Sequence, residues 1–360
     1  MADAQPFRAV RYSGAAGPIA DLVAPPYDAV TEEERAILYT RSPYNVVHVT
    51  LPVSIDAAGR LYRSWLEDGI LEREEESSSW LLVEDFVGPD GVARERLGVV
   101  VSIRAVPYET GRVLPHERTH PRIREDRLDL LRATHVQPEP IFLLADGPLG
   151  LRVPEKRADL EVGGSRLWRL PDFDPRSLEE NTLLIADGHH RYESAVELGR
   201  EASSAPARVM ALVVSTQDPG LHVFPTHRFF AGRPDLADLE KGQRIADLDE
   251  ALAVLAAEPF DRSAAVAYRR GRIELIRGEQ GELDVELVDR HGLAGIGYTP
   301  RAAGAVSAVD SGAADVAFIL REARVQDVFG VARRGERMPQ KSTYFYPKPL
   351  SGLLFHEVAA

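Results

Sequence analysis

Two apolar runs of this chain, Leu183-Leu184-Ile185-Ala186 and Val209 to Val214, are short, and the first empties directly into Asp187-Gly188-His189-His190-Arg191. A membrane-spanning helix needs roughly 20 apolar residues, so neither run spans a bilayer; each reads instead as a buried strand. A helix is expected over residues 191–198. The segment is therefore a strand-turn-helix unit, and the expected fold class is α/β with mixed sheets.

At 360 residues the chain exceeds the size at which a single core keeps growing, so several packed units are expected. The expected division is an N-terminal α/β region (1–105), a central unit (106–232) and a C-terminal α/β region (233–360). Thr31, followed by three glutamates, caps a helix; a buried strand is expected over 45–51 and a helix over 57–68. Strands 79–86 and 94–103 flank the turn Gly88-Pro89-Asp90-Gly91. Further on, a helix is expected over 126–132 and strands over 140–144, 264–268, 272–277, 283–288 and 315–320.

The formal net charge of −13 opposes a polyphosphate partner, so no nucleic acid is expected. The absence of cysteine removes disulfides, and the first residues lack the basic flank and apolar stretch of a secretory signal. The expected setting is the cytoplasm, with no membrane partner. Nothing in the sequence sets the oligomeric state.

Six of the ten histidines fall in four short segments, His116 and His120, His135, His189 and His190, and His227, with Arg118, Arg191 and Arg228 beside them. Polar side chains clustered on loops suit an anion site, where arginine and histidine donate hydrogen bonds to phosphate oxygens. The Asp187 turn is the sharpest piece. A glycine turn entering a helix directs free backbone N–H groups and the positive end of the helix dipole at one place. The plainer reading makes Asp187 an N-cap and Gly188 a turn residue, but it leaves His189, His190 and Arg191 unexplained. Neither the phosphate-loop pattern nor the dinucleotide Gly-x-Gly-x-x-Gly pattern is present.

Zinc is the rival account of the histidines, and with it a metal-dependent hydrolase. His116-Glu117-Arg118-Thr119-His120 has zincin spacing, yet Pro115 and Pro121 bound it too tightly for the long helix that such a site requires. No metal ligand is assigned. Near the C-terminus, Lys341, Ser342 and Thr343 precede an expected strand, where side chains can reach a ligand.

Ala24-Pro25-Pro26-Tyr27-Asp28, Asn45 to Val49, His116 to Thr119, the Asp187 turn through Glu193, Pro225 to Arg228 and Pro339 to Lys348 together resemble a prokaryotic family, the domain-of-unknown-function family 1015. More distantly, the order of loop 115–121, helix, strand and Asp187 turn resembles the ParB/sulfiredoxin superfamily. That resemblance implies a ParB/sulfiredoxin-like phosphate-binding core over 106–232, in which Gly188, His189, His190 and Arg191 hold nucleotide phosphates. The free serine kinases of the superfamily imply Glu117 as the catalytic carboxylate.

These readings combine as phosphoryl transfer from a nucleotide (ATP or ADP) or pyrophosphate, with Mg²⁺, to a small hydroxyl substrate such as serine. Glu117 would be the base, and Asp187 would help position substrate or Mg²⁺. Gly188 to Arg191 with His116, Arg118, His227, Arg228, Lys341, Ser342 and Thr343 would hold the donor. The alternative is a nucleotide-responsive regulatory protein without turnover. A sulfiredoxin-like reductase is excluded, because it needs a cysteine.

Overall fold

The computed structural model describes residues 3–201, 206–237 and 242–358. Among these, no helix is long and apolar enough to cross a membrane. The fold is mixed α/β, and its centre is set by strands that are apolar on both faces. In Ile141–Ala145 and Leu183–Asp187 the period-two alternation sends Ile141, Leu143, Leu183 and Ile185 into one core and Phe142, Leu144 and Leu184 into another. Tyr192 and Ala195 of helix His189–Glu201 cover the first face; Val328 and Phe329 of helix Val325–Arg333 cover the second.

These strands belong to a nine-stranded sheet. Its main path runs Val113–Pro115, Leu183–Asp187, Ile141–Ala145, Arg208–Ser215, Ala93–Arg104, Ser79–Val87, Ser165–Leu170 and Leu160–Val162, and Ala4–Gln5 pairs with Ala93–Arg104. Leu183–Asp187 runs parallel to Val113–Pro115, and Arg208–Ser215 parallel to Ile141–Ala145; the other pairs are antiparallel. The expected boundary at residue 105 falls inside this sheet, because Ala93–Arg104 is hydrogen-bonded to Arg208–Ser215. A second, six-stranded antiparallel sheet holds Gln243–Ile245, Arg272–Gln280, Arg262–Arg269, Val316–Ile319, His227–Phe230 and Ile296–Thr299, in that order. His227 and Arg228 thus lie in the second sheet, ahead of the expected boundary at 232. The chain then returns to the large sheet's side: Tyr344–Phe345 pairs with Val223–Phe224, and His356–Glu357 with Val136–Gln137.

Local chemistry explains where elements match expectation and where they differ. Helix Glu32–Arg41 begins on the Thr31 capping box, with Glu34 reaching back to the Thr31 N–H at 2.8 Å. The strand expected over 45–51 is a short helix, Val47–Thr50. Asn45 sets it by accepting from the Val47 N–H at 2.9 Å while donating to the Asp21 carbonyl at 2.7 Å. The strand expected over 283–288 is helix Asp284–Asp289. Glu286 accepts the Leu283 N–H at 2.9 Å, and Asp284 takes the Ala264 N–H at 2.8 Å and the Arg321 guanidinium at 2.6 Å. Val285 and Val288, three apart, still bury together on one helical face.

Candidate functional site

Strand Leu183–Asp187 shifts register against Ile141–Ala145 between Ile185 and Asp187. Such an irregularity re-aims the side chains that follow it, and here they are Asp187 and the turn. Gly188 has φ 95°, and a Cβ there would lie 2.7 Å from Ile141 Cγ2, so backbone conformation and close packing both require glycine. Helix His189–Glu201 starts at once. Its first backbone N–H groups have no carbonyl one turn back, and the positive helix end faces the turn.

The turn opens into a cleft of about 710 Å³. Five separate segments supply its charged groups: Asp28, Glu84 with Asp85, Glu117 with Arg118, Asp187 with His190 and Arg191, and Lys341 with Lys348. The Lys348 ammonium bridges two carboxylates, pairing with Asp28 and lying 2.8 Å from Asp187 Oδ1. Burial alone would raise the Asp28 carboxyl, but Lys348 and Arg191 outweigh it and hold it below its usual value. The Arg191 guanidinium turns to the protein: it donates to the Pro140 carbonyl at 2.7 Å and to Asp187 Oδ2 at 2.8 Å, with Glu139 at 3.6 Å. Its work is to brace the turn against the Pro140 backbone.

Glu117 is fixed from the far end of the chain. It bridges in parallel to Met338, whose N–H donates to the His116 carbonyl at 2.8 Å. Burial raises the Glu117 carboxyl and Asp187 pushes the same way, against the Lys341 ammonium and backbone N–H. A carboxylate held above its ordinary range is better matched to taking a proton near neutral pH. Lys341, exposed at the cleft, sits at φ 55°, an uncommon left-handed backbone for a side chain with Cβ and a form of strain that concentrates at functional sites.

The histidines act as neutral spacers. His116 is buried; its Nδ1–H donates to the Ile185 carbonyl at 2.7 Å and its Nε2 accepts from Thr343 Oγ1 at 3.0 Å. The His116 N–H donates to His189 Nε2 at 3.3 Å, and the His120 N–H to His190 Nε2 at 2.9 Å. Burial lowers the His116, His189 and His190 rings, His116 to about 4. His190, with Nε2 engaged as acceptor, lines the cleft as a neutral ring whose proton is on Nδ1.

Of the residues expected at the site, Glu117, Arg118, Asp187, Gly188, His189, His190, Arg191, Lys341 and Thr343 line one cleft. His116, His227, Arg228 and Ser342 do not. His227 Nδ1 accepts the Leu320 N–H at 3.1 Å, and burial lowers the ring to about 4. Arg228 is fully buried against Asp289 at 2.8 Å and the Thr226 carbonyl. Ser342 donates to the Pro339 carbonyl at 2.5 Å. A histidine or arginine inside a strand is equally available to a ligand or to its own core, and here the core holds them. Residues not singled out are Asp28, Lys348, Tyr27, Tyr298, Tyr344 and Tyr346, all on the cleft wall. Their signal was present in the Pro-Pro-Tyr-Asp and Tyr-Phe-Tyr-Pro-Lys stretches, but only the fold shows that these meet.

No curated protein matches the chain. Among solved structures it is similar to a conserved hypothetical protein from Pyrococcus furiosus, at 18% identity and TM-score 0.39 over 69% of this chain and 93% of that one. It is similar to a free serine kinase in complex with AMP at 17% identity and TM-score 0.41, over 69% of this chain and 86% of the kinase. A C-terminally truncated SbnI from Staphylococcus aureus gives 16% identity and TM-score 0.40, over 67% and 80%. The family model described as protein of unknown function DUF1015 matches residues 4–293, and the chain belongs to that family.

Proposed function

We propose that the cleft binds a phosphate donor, a nucleotide such as ATP or ADP or inorganic pyrophosphate, and passes a phosphoryl group to the hydroxyl of a small molecule such as serine. The observation that carries this reading is that a helix-opening glycine turn and a carboxyl raised by burial, Glu117, line one cleft with two lysines. The turn offers backbone donors to phosphate oxygens, and Lys341 and Lys348 offset charge on the transferring group. Glu117 accepts the proton of the attacking hydroxyl as its oxygen bonds to the terminal phosphorus; the bond from that phosphorus to the bridging oxygen breaks, and the remaining phosphate or nucleoside phosphate leaves with that electron pair. Positioning and charge neutralisation supply most of such catalysis.

Among the described residues no three His, Cys, Asp or Glu side chains gather to hold a metal ion. Mg²⁺ is commonly held by one or two carboxylates together with substrate phosphates, so here it would arrive with the donor, and Asp187 and Asp28, which share Lys348 on the cleft wall, are the carboxylates that would hold it. When bound, it would neutralise phosphate charge.

Calorimetric titration with pyrophosphate, ADP and ATP, followed by phosphorus NMR of mixtures containing serine and other small alcohols, tests the reading. Glu117→Gln is expected to keep donor affinity and to lose about 10²-fold or more in turnover. Failure of every donor to bind, or equal turnover in the two proteins, overturns it. Donor binding without turnover on any acceptor transfers the site to a regulatory role.

A further inference from the structure

The segment Tyr344 to Lys348 is more than a source of one lysine. Phe345 packs into the large core against His116 and Phe142, while Tyr344 and Tyr346, on either side of it, are half-buried on the cleft wall. Tyr344–Phe345 is a two-residue strand, whose alternation turns Phe345 to the core and leaves Tyr344 on the open side, and Tyr346 follows directly in the bend after it. The two phenol rings sit 5.7 Å apart, and Phe86 meets Tyr346 edge-on at 5.6 Å and lines the same cleft. Lys348 follows at the same spacing and reaches Asp187 beside the Gly188 turn.

The strap is also held rigidly. The buried Arg96 guanidinium donates to the Tyr346 carbonyl at 3.2 Å and the Pro347 carbonyl at 2.7 Å, and is itself paired with Glu84. A pre-ordered aromatic wall next to a phosphate turn has a specific use. Aromatic side chains bind planar bases by stacking, largely without regard to base identity, whereas inorganic pyrophosphate has nothing to place there.

We infer that Tyr344 and Tyr346 form a nucleobase subsite, so that the cleft takes a nucleoside di- or triphosphate in preference to pyrophosphate, with the base on the strap and the phosphates at the Gly188 turn and Lys348. This rests on the phosphate-donor reading above and selects between its two donor classes. It also gives a purpose to a tyrosine pair that the phosphoryl-transfer chemistry leaves unused.

The test is titration calorimetry on the full chain with ADP, inorganic pyrophosphate and adenosine, repeated on Tyr344→Leu, Tyr346→Leu and the matching Tyr→Phe variants, each first checked for a native melting transition. The expected result is roughly 5- to 100-fold tighter binding of ADP than of pyrophosphate, reduced towards parity by each leucine and largely retained by each phenylalanine, while pyrophosphate affinity stays constant. Equal affinity for ADP and pyrophosphate in the native protein overturns the subsite and leaves the phosphate reading standing. Leucine variants that weaken both ligands equally overturn the subsite in the same way. If neither ligand binds, the phosphate reading falls and the subsite with it. Where a leucine variant fails to fold, the native ADP-to-pyrophosphate ratio and the phenylalanine variants still decide.

Discussion

Lys348 Nζ lies 2.8 Å from Asp187 Oδ1, so the C-terminal strap closes directly onto the acid that opens the glycine turn. The ammonium also pairs with Asp28, and the two carboxylates raise the lysine above its usual value against the opposing effect of its burial. Lys348 therefore contributes stability that is fully present below its unfolded-state value and lost as pH rises through the folded one. Asp28 is held low, so its contribution is present above the ordinary carboxylate value and fades as pH falls through its folded value. Asp28→Asn is expected to destabilise on the order of 1–2 kcal/mol at neutral pH and by little in strong acid. The figure is below the roughly 3–5 kcal/mol of a fully buried pair because the Lys348 and Asp28 side chains are 17% and 33% exposed. Urea unfolding at a series of pH values checks it; a pH-independent loss would remove the ion pair as its cause.

Glu117 has the opposite sign. Its folded-state value is raised, so the protonated carboxyl stabilises the fold below the unfolded value, and that contribution disappears as pH climbs through the raised one. Glu117→Gln should match the native protein near pH 4 and exceed it in melting temperature at pH 7, while abolishing the acid limb of any turnover profile. A variant less stable than native at pH 7 would show that the ionised carboxylate holds the site together.

Much of this site was legible in the residue pattern. The run Leu183 to Ala186 before Asp-Gly specified the strand, the turn and the helix, because a strand buried on both faces has to be continuously apolar and a left-handed turn has to have glycine. Glu117 and Lys341 were legible as polar residues on loops. His116, His227, Arg228 and Ser342 misled, since a donor that ties a core together and a donor that meets a ligand have the same letter. Asp28 and Lys348 escaped for a different reason. Each belongs to a Pro-rich stretch without periodicity, and their meeting is a property of the chain's return to the large sheet. Residues 45–51 and 283–288 were apolar enough for strands, but Asn45 and Glu286 caps made helical turns of them.

The glycine turn offers a stringent test. Gly188→Ala places a Cβ 2.7 Å from Ile141 Cγ2 at a φ of 95°, a conformation that side chains rarely adopt. The combined backbone strain and overlap are expected to destabilise by about 1–3 kcal/mol and to disturb the N–H groups that face the cleft, so pyrophosphate affinity should fall alongside stability. Gly111→Ala, also at positive φ but with nothing within 4 Å of the new Cβ, isolates the backbone part. Equal losses at the two positions in unfolding experiments would show that the contact with Ile141 adds nothing.

The last prediction concerns the pair beneath the strap. Arg96 is fully buried, donates to Glu84, lies 4.4 Å over the Phe142 ring, and supplies donors to the Tyr346 and Pro347 carbonyls. Glu84→Gln leaves a buried guanidinium without its counter-charge, and Arg96→Met leaves a buried carboxylate, so each change alone is expected to destabilise by about 3–5 kcal/mol. In the double variant neither charge remains, and the loss should be well below the sum of the two. It should not vanish, because the strap carbonyls still lack their donor, at about 1–3 kcal/mol for polar groups left unsatisfied. The double-mutant cycle, measured by urea unfolding, therefore separates charge pairing from strap anchoring. Strict additivity would show that the two side chains act independently. A double variant as stable as the native protein, with unaltered ADP affinity, would show that Arg96 does not position Tyr346.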